Sequence, residues 1–148
     1  TFEDGYSVEG AKWMDIKGSR LYERCLQVTA NDAFSAVKLT AKATAASEKE
    51  DLVLTLYNNK GAEPESKISS CKVKDYDSIW KTCTIDNIEQ EKEKYWVCAS
   101  TPQGSKEETY YTIAYDRGGN KKTALWTGKN WQKLERSSYT IKAEFEKQ

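Results

Sequence analysis

The stretch YTIKAEFE at residues 139–146 places Tyr139, Ile141, Ala143 and Phe145 at every second position, with Lys142, Glu144 and Glu146 between the last three and after them. A period of two is that of a β-strand, whose side chains point alternately to opposite faces. One face of this segment is apolar and the other wet, as in an antiparallel sheet that covers a core on one side.

The same alternation recurs upstream. Val37, Leu39 and Ala41 share a face over 34–42, and Leu52, Leu54 and Leu56 share one over 51–58. Further strands are expected at 11–16, 20–28, 67–73, 80–86, 94–101 and 109–116, with a weaker one at 123–127, about eight to ten in all. Between them stand turn-forming runs such as Asn58-Asn59-Lys60-Gly61 and Arg117-Gly118-Gly119-Asn120, whose residues tolerate positive φ. The polar segment 88–94 has no apolar stripe to bury and reads as a loop. The 148 residues, 38% hydrophobic and 31% charged, suit one domain around one core. The expected fold is therefore all-β: one two-sheet antiparallel β-sandwich over 1–148, jelly-roll-like.

Four cysteines, Cys25, Cys71, Cys83 and Cys98, form an even set in this small chain, which points to two disulfides and an oxidising, extracellular compartment. With no histidine and no CxxC pair, neither a structural zinc site nor a thioredoxin-like redox site is supported. In CKVKDYDSIWKTC, residues 71–83, a hairpin folded about Asp77 sets Cys71 opposite Cys83 and leaves Cys25 for Cys98. A fold-back at 88–94 instead sets Cys83 opposite Cys98, leaving Cys25 for Cys71, so the three connectivities stay open with the first favoured. Because Thr1 stands where an initiator methionine would, the chain is expected to be processed or a fragment.

The chemistry of catalysis is thinly represented. Without histidine the common nucleophile–base pairs are missing, and neither a GxSxG elbow nor a phosphate-cradling glycine loop occurs. The carboxylates Asp75 and Asp77, and Glu48, Glu50 and Asp51, read as solvated turns; they lack the spacing of an EF-hand loop. No cofactor and no metal is expected. No apolar run approaches the about eighteen residues of a membrane span. The 23 basic residues balance 23 acidic ones, which argues against steering toward nucleic acid.

Charge is nonetheless uneven. Residues 116–136 hold Arg117, Lys121, Lys122, Lys129, Lys133 and Arg136 against Asp116 and Glu135. Within that segment Trp126 and Trp131 flank the turn-like 127–130, whereas Trp13, Trp80 and Trp96 lie inside alternating strands and read as interior filling. Aromatic rings beside polar and basic residues have the composition of interface centres. Trp126, Trp131, Arg117, Lys121, Lys122 and Lys129 are therefore the candidate partner-binding residues.

The runs DLVLTLYNNKG at 51–61, TCTIDN at 82–87, EKYWVCAST at 93–101 and TYYTIAYD at 109–116 together resemble the pre-peptidase C-terminal domain family. Asp51, Leu54, Leu56, Tyr57, Gly61, Tyr95 and Val97 carry the match, which spans about residues 20–116. The resemblance implies a β-sandwich with an accessory, substrate-anchoring or folding role, and some relatives bind calcium or collagen. Four cysteines are unusual there, and 117–148 lies beyond the match. A second comparison is with galectin-like sandwiches, whose disulfide-bearing versions occur in parasite adhesion complexes. The galactoside-reading motifs are absent here, so that comparison implies a protein partner. The expected function is a secreted, non-catalytic binding module for a protein partner or cell-surface ligand, an adhesion domain of a larger protein or complex. The alternatives are a carbohydrate-binding module and an accessory domain of a secreted hydrolase.

Overall fold

The computed structural model describes residues 1–7, 12–17, 22–45, 51–73, 77–101, 110–118, 121–133 and 137–148. These form thirteen strands: β1 (Phe2–Tyr6), β2 (Lys12–Lys17), β3 (Glu23–Thr29), β4 (Phe34–Ala45), β5 (Leu52–Lys60), β6 (Glu63–Val73), β7 (Trp80–Ile85), β8 (Lys94–Ser100), β9 (Tyr110–Asp116), β10 (Thr123–Trp126), β11 (Trp131–Lys133), β12 (Ser138–Tyr139) and β13 (Ile141–Lys147). No helix occurs among the described residues. The strands make two antiparallel sheets. One runs β1-β13-β4-β9-β12, with β7 also paired to β4 and β2 to β9; the other runs β11-β10-β3-β8-β5-β6. From β3 to β10 the chain changes sheet at every step except β5 to β6, the crossing habit of a jelly roll.

The seven-stranded sheet forks. β13 pairs with β4 from Phe34 to Ala41, and β9 takes over from Ala43 to Ala45. At the fork the Thr140 N–H donates to the Ala114 carbonyl (2.9 Å), and the Lys42 N–H donates to the Thr140 carbonyl (3.1 Å). The buried backbone groups at the branch are thereby satisfied.

The core fills the space between the sheets. Val37, Leu39 and Ala41 of β4 and Ile141, Ala143 and Phe145 of β13 face Leu26 and Val28 of β3, Leu52, Leu54 and Leu56 of β5, and Tyr95, Val97 and Ala99 of β8. Burying each large aliphatic side chain contributes about 1.5–3 kcal/mol. Phe34 meets Tyr95 and Phe145 edge-on, with ring centroids 5.2 and 4.7 Å apart. Arg24 brings a charge into this layer: it is buried and donates to the Tyr139 hydroxyl at 3.0 Å, with its guanidinium 5.8 Å from the rings of Tyr22 and Tyr139.

The first strand, β1, was not anticipated by the apolar pattern, since Phe-Glu-Asp-Gly-Tyr carries a glycine in its middle. It is held at the sheet edge by three contacts. Phe2 stacks on Phe145 at 4.9 Å. Asp4 accepts the Thr29 N–H at 2.7 Å and the Lys121 ammonium at 2.5 Å. Gly5, opposite Lys142 with φ 149°, approaches the β13 backbone so closely that a Cβ would lie 2.7 Å from Lys142 Cα.

Both disulfides join the favoured partners, Cys25–Cys98 and Cys71–Cys83. The route to the second differs from the expected hairpin. β6 and β7 lie in different sheets, so Cys71–Cys83 clips one layer to the other. The directly opposed cross-strand pair is Cys25–Cys98, on β3 and β8. The disulfides are consistent with an oxidising compartment.

Strand parity corrects the reading of Trp80 and sets Trp96, buried as expected, in a different layer. On β7, Cys83 and Ile85 face inward, so a period of two sends Lys81 in (1% exposed) and Trp80 out (42% exposed). On β8, Tyr95, Val97 and Ala99 face inward, which puts the fully buried Trp96 on the outer side of its sheet, in a cluster of its own with Cys25, Cys98 and Ala124.

Candidate functional site

The outer face of the six-stranded sheet is read most easily by its rows of cross-strand partners. Trp131, Trp126, Glu23 and Ser100 form one row, and Ala124, Cys25, Cys98 and Thr55 the next; Gln27, Trp96 and Tyr57 form a third. A disulfide, a tryptophan and an alanine on a face turned away from the core would normally meet water. Here they do not, because Tyr57 and Trp131 pack against them. The two covering rings meet edge-on, 5.9 Å apart and 84° inclined.

Beneath this cover the polar atoms are paired. Asn59 Oδ1 accepts from Trp96 Nε1 at 2.9 Å and from Gln27 Nε2 at 3.2 Å. The Tyr57 hydroxyl, crossing diagonally over the disulfide row, reaches both carboxylate oxygens of Glu23 at 2.9 Å. Burial raises the Glu23 carboxyl above its usual range, against the opposing pull of the Tyr57 hydrogen bond and Lys67. Burial, then the charge of Glu23, pushes the Tyr57 phenol upward. Each group therefore gives up its proton at a higher pH than it would in water.

At the rim, β10 and β11 form a hairpin. Gly128 takes φ 91°, the following Lys129 does not have positive φ, and the Thr127 N–H donates to the Asn130 carbonyl at 3.1 Å. A glycine at the first of two central positions is the II′ pattern, whose twist suits strand pairs. The turn makes Trp126 and Trp131 direct partners, and their half-buried rings lie 5.2 Å apart at 54°. β11 is the last strand of its sheet.

Three of the six sequence-derived candidates thus come together: Trp126, Trp131 and the exposed turn residue Lys129. Lys122 is exposed just before β10, and its carbonyl accepts the Gln27 N–H. Arg117 is exposed at the end of β9, in the other sheet. Lys121 is half-buried and paired with Asp4, so it anchors β1 rather than standing ready for a ligand. Arg136, Asp75, Glu48 and Glu50 lie outside the described residues. Among the described residues no three His, Cys, Asp or Glu side chains converge as a metal site would require.

Tyr57 and Glu23 were missed by the sequence reading. The signal was present but distant: Glu23 lies two residues before Cys25, and Tyr57 follows the Leu52-Leu54-Leu56 face on the opposite side. Only the register of β3, β8 and β5 brings them together. No protein-family model matches this chain, and no curated protein matches it.

Proposed function

We propose that the chain is a secreted, non-catalytic binding module that docks a protein partner on the outer face of the six-stranded sheet, centred on the β10–β11 hairpin. The observation that supports this reading most directly is the side-by-side placement of Trp126 and Trp131, both half-buried, against Tyr57 at the sheet rim. Large rings already held by neighbours lose little freedom on binding, and a desolvated tryptophan anchor contributes about 2 kcal/mol or more. Lys129 and Lys133, exposed beside the rings, suit the polar rim that surrounds such anchors. The two disulfides favour an extracellular setting for the module.

The test is affinity capture from native extract with the wild-type chain and Trp126→Ala, followed by identification and by binding of the purified partner. Trp126→Ala is expected to keep its melting temperature and lose the partner at least about tenfold. A partner retained in full by a folded Trp126→Ala, Trp131→Phe variant would eliminate this face. Carbohydrate binding, the second reading, has separate support on the opposite sheet, where Trp80 is exposed.

A further inference from the structure

The outer face of the seven-stranded sheet carries an exposed aromatic ring in a polar groove. Trp80 and Ile79, each 42% exposed, are the large apolar side chains most open to water among the described residues. Trp80 lines a cleft of 330 Å³ with Thr40, Thr82, Lys142 and Glu144. This cleft shares Glu3 and Lys142 with a neighbouring one of 330 Å³ on the β1 side. It shares Lys38 and Glu144 with a third of 210 Å³ that reaches Asp86 and Glu146. The three therefore adjoin one another along the outer face of β7, β4, β13 and β1.

The groove has an electrical direction. At one end the ammonium groups of Lys42 and Lys142 each lie 5.6 Å from the Trp80 ring centroid. Neither forms an ion pair among the described residues, while Lys38, one row along, is paired with Glu144 at 3.8 Å. At the far end Asp86, Glu144 and Glu146 line the wall. In the middle the Thr40 and Thr82 hydroxyls, 3.1 Å apart, can exchange their mutual hydrogen bond for one to a ligand.

We infer that this groove binds an oligosaccharide that ends in one anionic sugar, with the acidic unit on Trp80 between Lys42 and Lys142. Both ammoniums lie over the Trp80 ring; as these flexible side chains swing to the anionic group, a pyranose offers C–H groups to the ring face and hydroxyls to Thr40, Thr82 and the carboxylates. The anionic group supplies the counter-charge that the two ammoniums lack. The acidic far end repels a second anion, which selects a single terminal charge over a polyanion. An acidic peptide meets the lysines equally well but leaves the hydroxyl-rich middle unanswered. The site is on the opposite sheet from the hairpin and does not depend on it.

The experiment is titration calorimetry with four probes: lactosamine, lactosamine capped with glucuronic acid, lactosamine capped with a 3-sulfate, and a polyglutamate peptide. At least one capped form is expected to bind at least about tenfold tighter than lactosamine, and the two caps distinguish carboxylate from sulfate. Lys42→Gln with Lys142→Gln should reduce that form to the level of lactosamine. Trp80→Ala should remove saccharide binding, and Trp80→Phe, which keeps a ring, should retain part of it. Trp126→Ala should leave all of these affinities unchanged, separating this site from the protein-docking face. Equal binding of capped and uncapped forms, preference for polyglutamate, no saccharide binding at all, or full binding by a folded Trp80→Ala would each overturn the inference.

Discussion

Cys71 and Cys83 join strands of different sheets, β6 at the rim of the six-stranded sheet and β7 beside β4 in the other. The bond closes a short loop, with a sequence separation of 12, whereas Cys25–Cys98 closes one of 73. By loop-closure entropy the first stabilises by about 3 kcal/mol and the second by about 4 kcal/mol. Their accessibility runs the other way: Cys71 and Cys83 are half-buried, and Cys25 and Cys98 fully buried. Mild reductant followed by peptide mapping should therefore open Cys71–Cys83 first, and the paired Cys25→Ala, Cys98→Ala variant should melt lower than Cys71→Ala, Cys83→Ala. The reverse order in either measurement contradicts this assignment of the bonds' roles.

Trp131, part of the docking face proposed above, packs against the Cys25–Cys98 pair. Because it is half-buried, Trp131→Ala should cost about 2 kcal/mol, below the range of about 3–5 kcal/mol for a fully buried ring. It should also make the Cys25–Cys98 bond reducible under conditions that leave the wild type intact. Trapping of free thiols by mass shift measures this directly, and an unchanged reduction rate would show that Trp131 does not shield the bond.

Glu23 gives a pH dependence of a definite sign. Its folded carboxyl titrates above the ordinary 4.5 because of burial, so between the unfolded and folded values the native state holds more protons. Stability from this group is greatest below the unfolded value and is lost as pH rises through the folded one. Glu23→Gln removes the buried charge and retains an acceptor for the Tyr57 hydroxyl. It should raise the melting temperature at pH 7 by roughly 1–3 °C and flatten the stability profile just above pH 4.5. A lower melting temperature for the variant at pH 7 would mean that the charged hydrogen bond outweighs the desolvation.

Gly5 is required by the approach of β1 to β13. An added Cβ would overlap the Ile141 carbonyl oxygen, which is backbone and cannot swing aside. Gly5→Ala should cost about 1–3 kcal/mol. Hydrogen exchange should show the loss in β1 and in the β13 amides facing it, while β8 remains protected. Uniform loss across both sheets would mean that β1 is integral to global folding.

The alternation of Val37, Leu39 and Ala41, and of Ile141, Ala143 and Phe145, was sufficient to specify the inward face of β4 and β13, because their other faces are lined by charge. On β8 both faces are covered, so alternation groups Tyr95 with Val97 and Trp96 with Cys98 but cannot say which group meets the core. On β7 a tryptophan out and a lysine in contradict residue type, and parity with Cys83 and Ile85 decides. The punctuation near Asp77 marks a change of direction; whether the chain stays in one sheet or crosses to the other depends on partners far away in sequence. The candidate site was half legible for the same reason: Trp126 and Trp131 are local neighbours across a turn, whereas Glu23 and Tyr57 meet through sheet register alone.

Phe2 lies opposite Phe145 on antiparallel strands, so tension on the two ends would open β1 from β13 one rung at a time, like a zipper. Beyond that point the path of force runs to Cys25, across the sulfur bridge, and out from Cys98. The 73-residue separation it spans, about half the chain, carries no tension. Under stretch the molecule is two materials in series: a yielding portion that includes the β10–β11 hairpin and β13, and a shielded loop holding β3 to β8. Once β1 has opened, extension would peel β13 from β4 and take Lys142 away from Trp80, so an anionic sugar held between Lys42 and Lys142 would be released while the loop shielded by the Cys25–Cys98 bond stays folded.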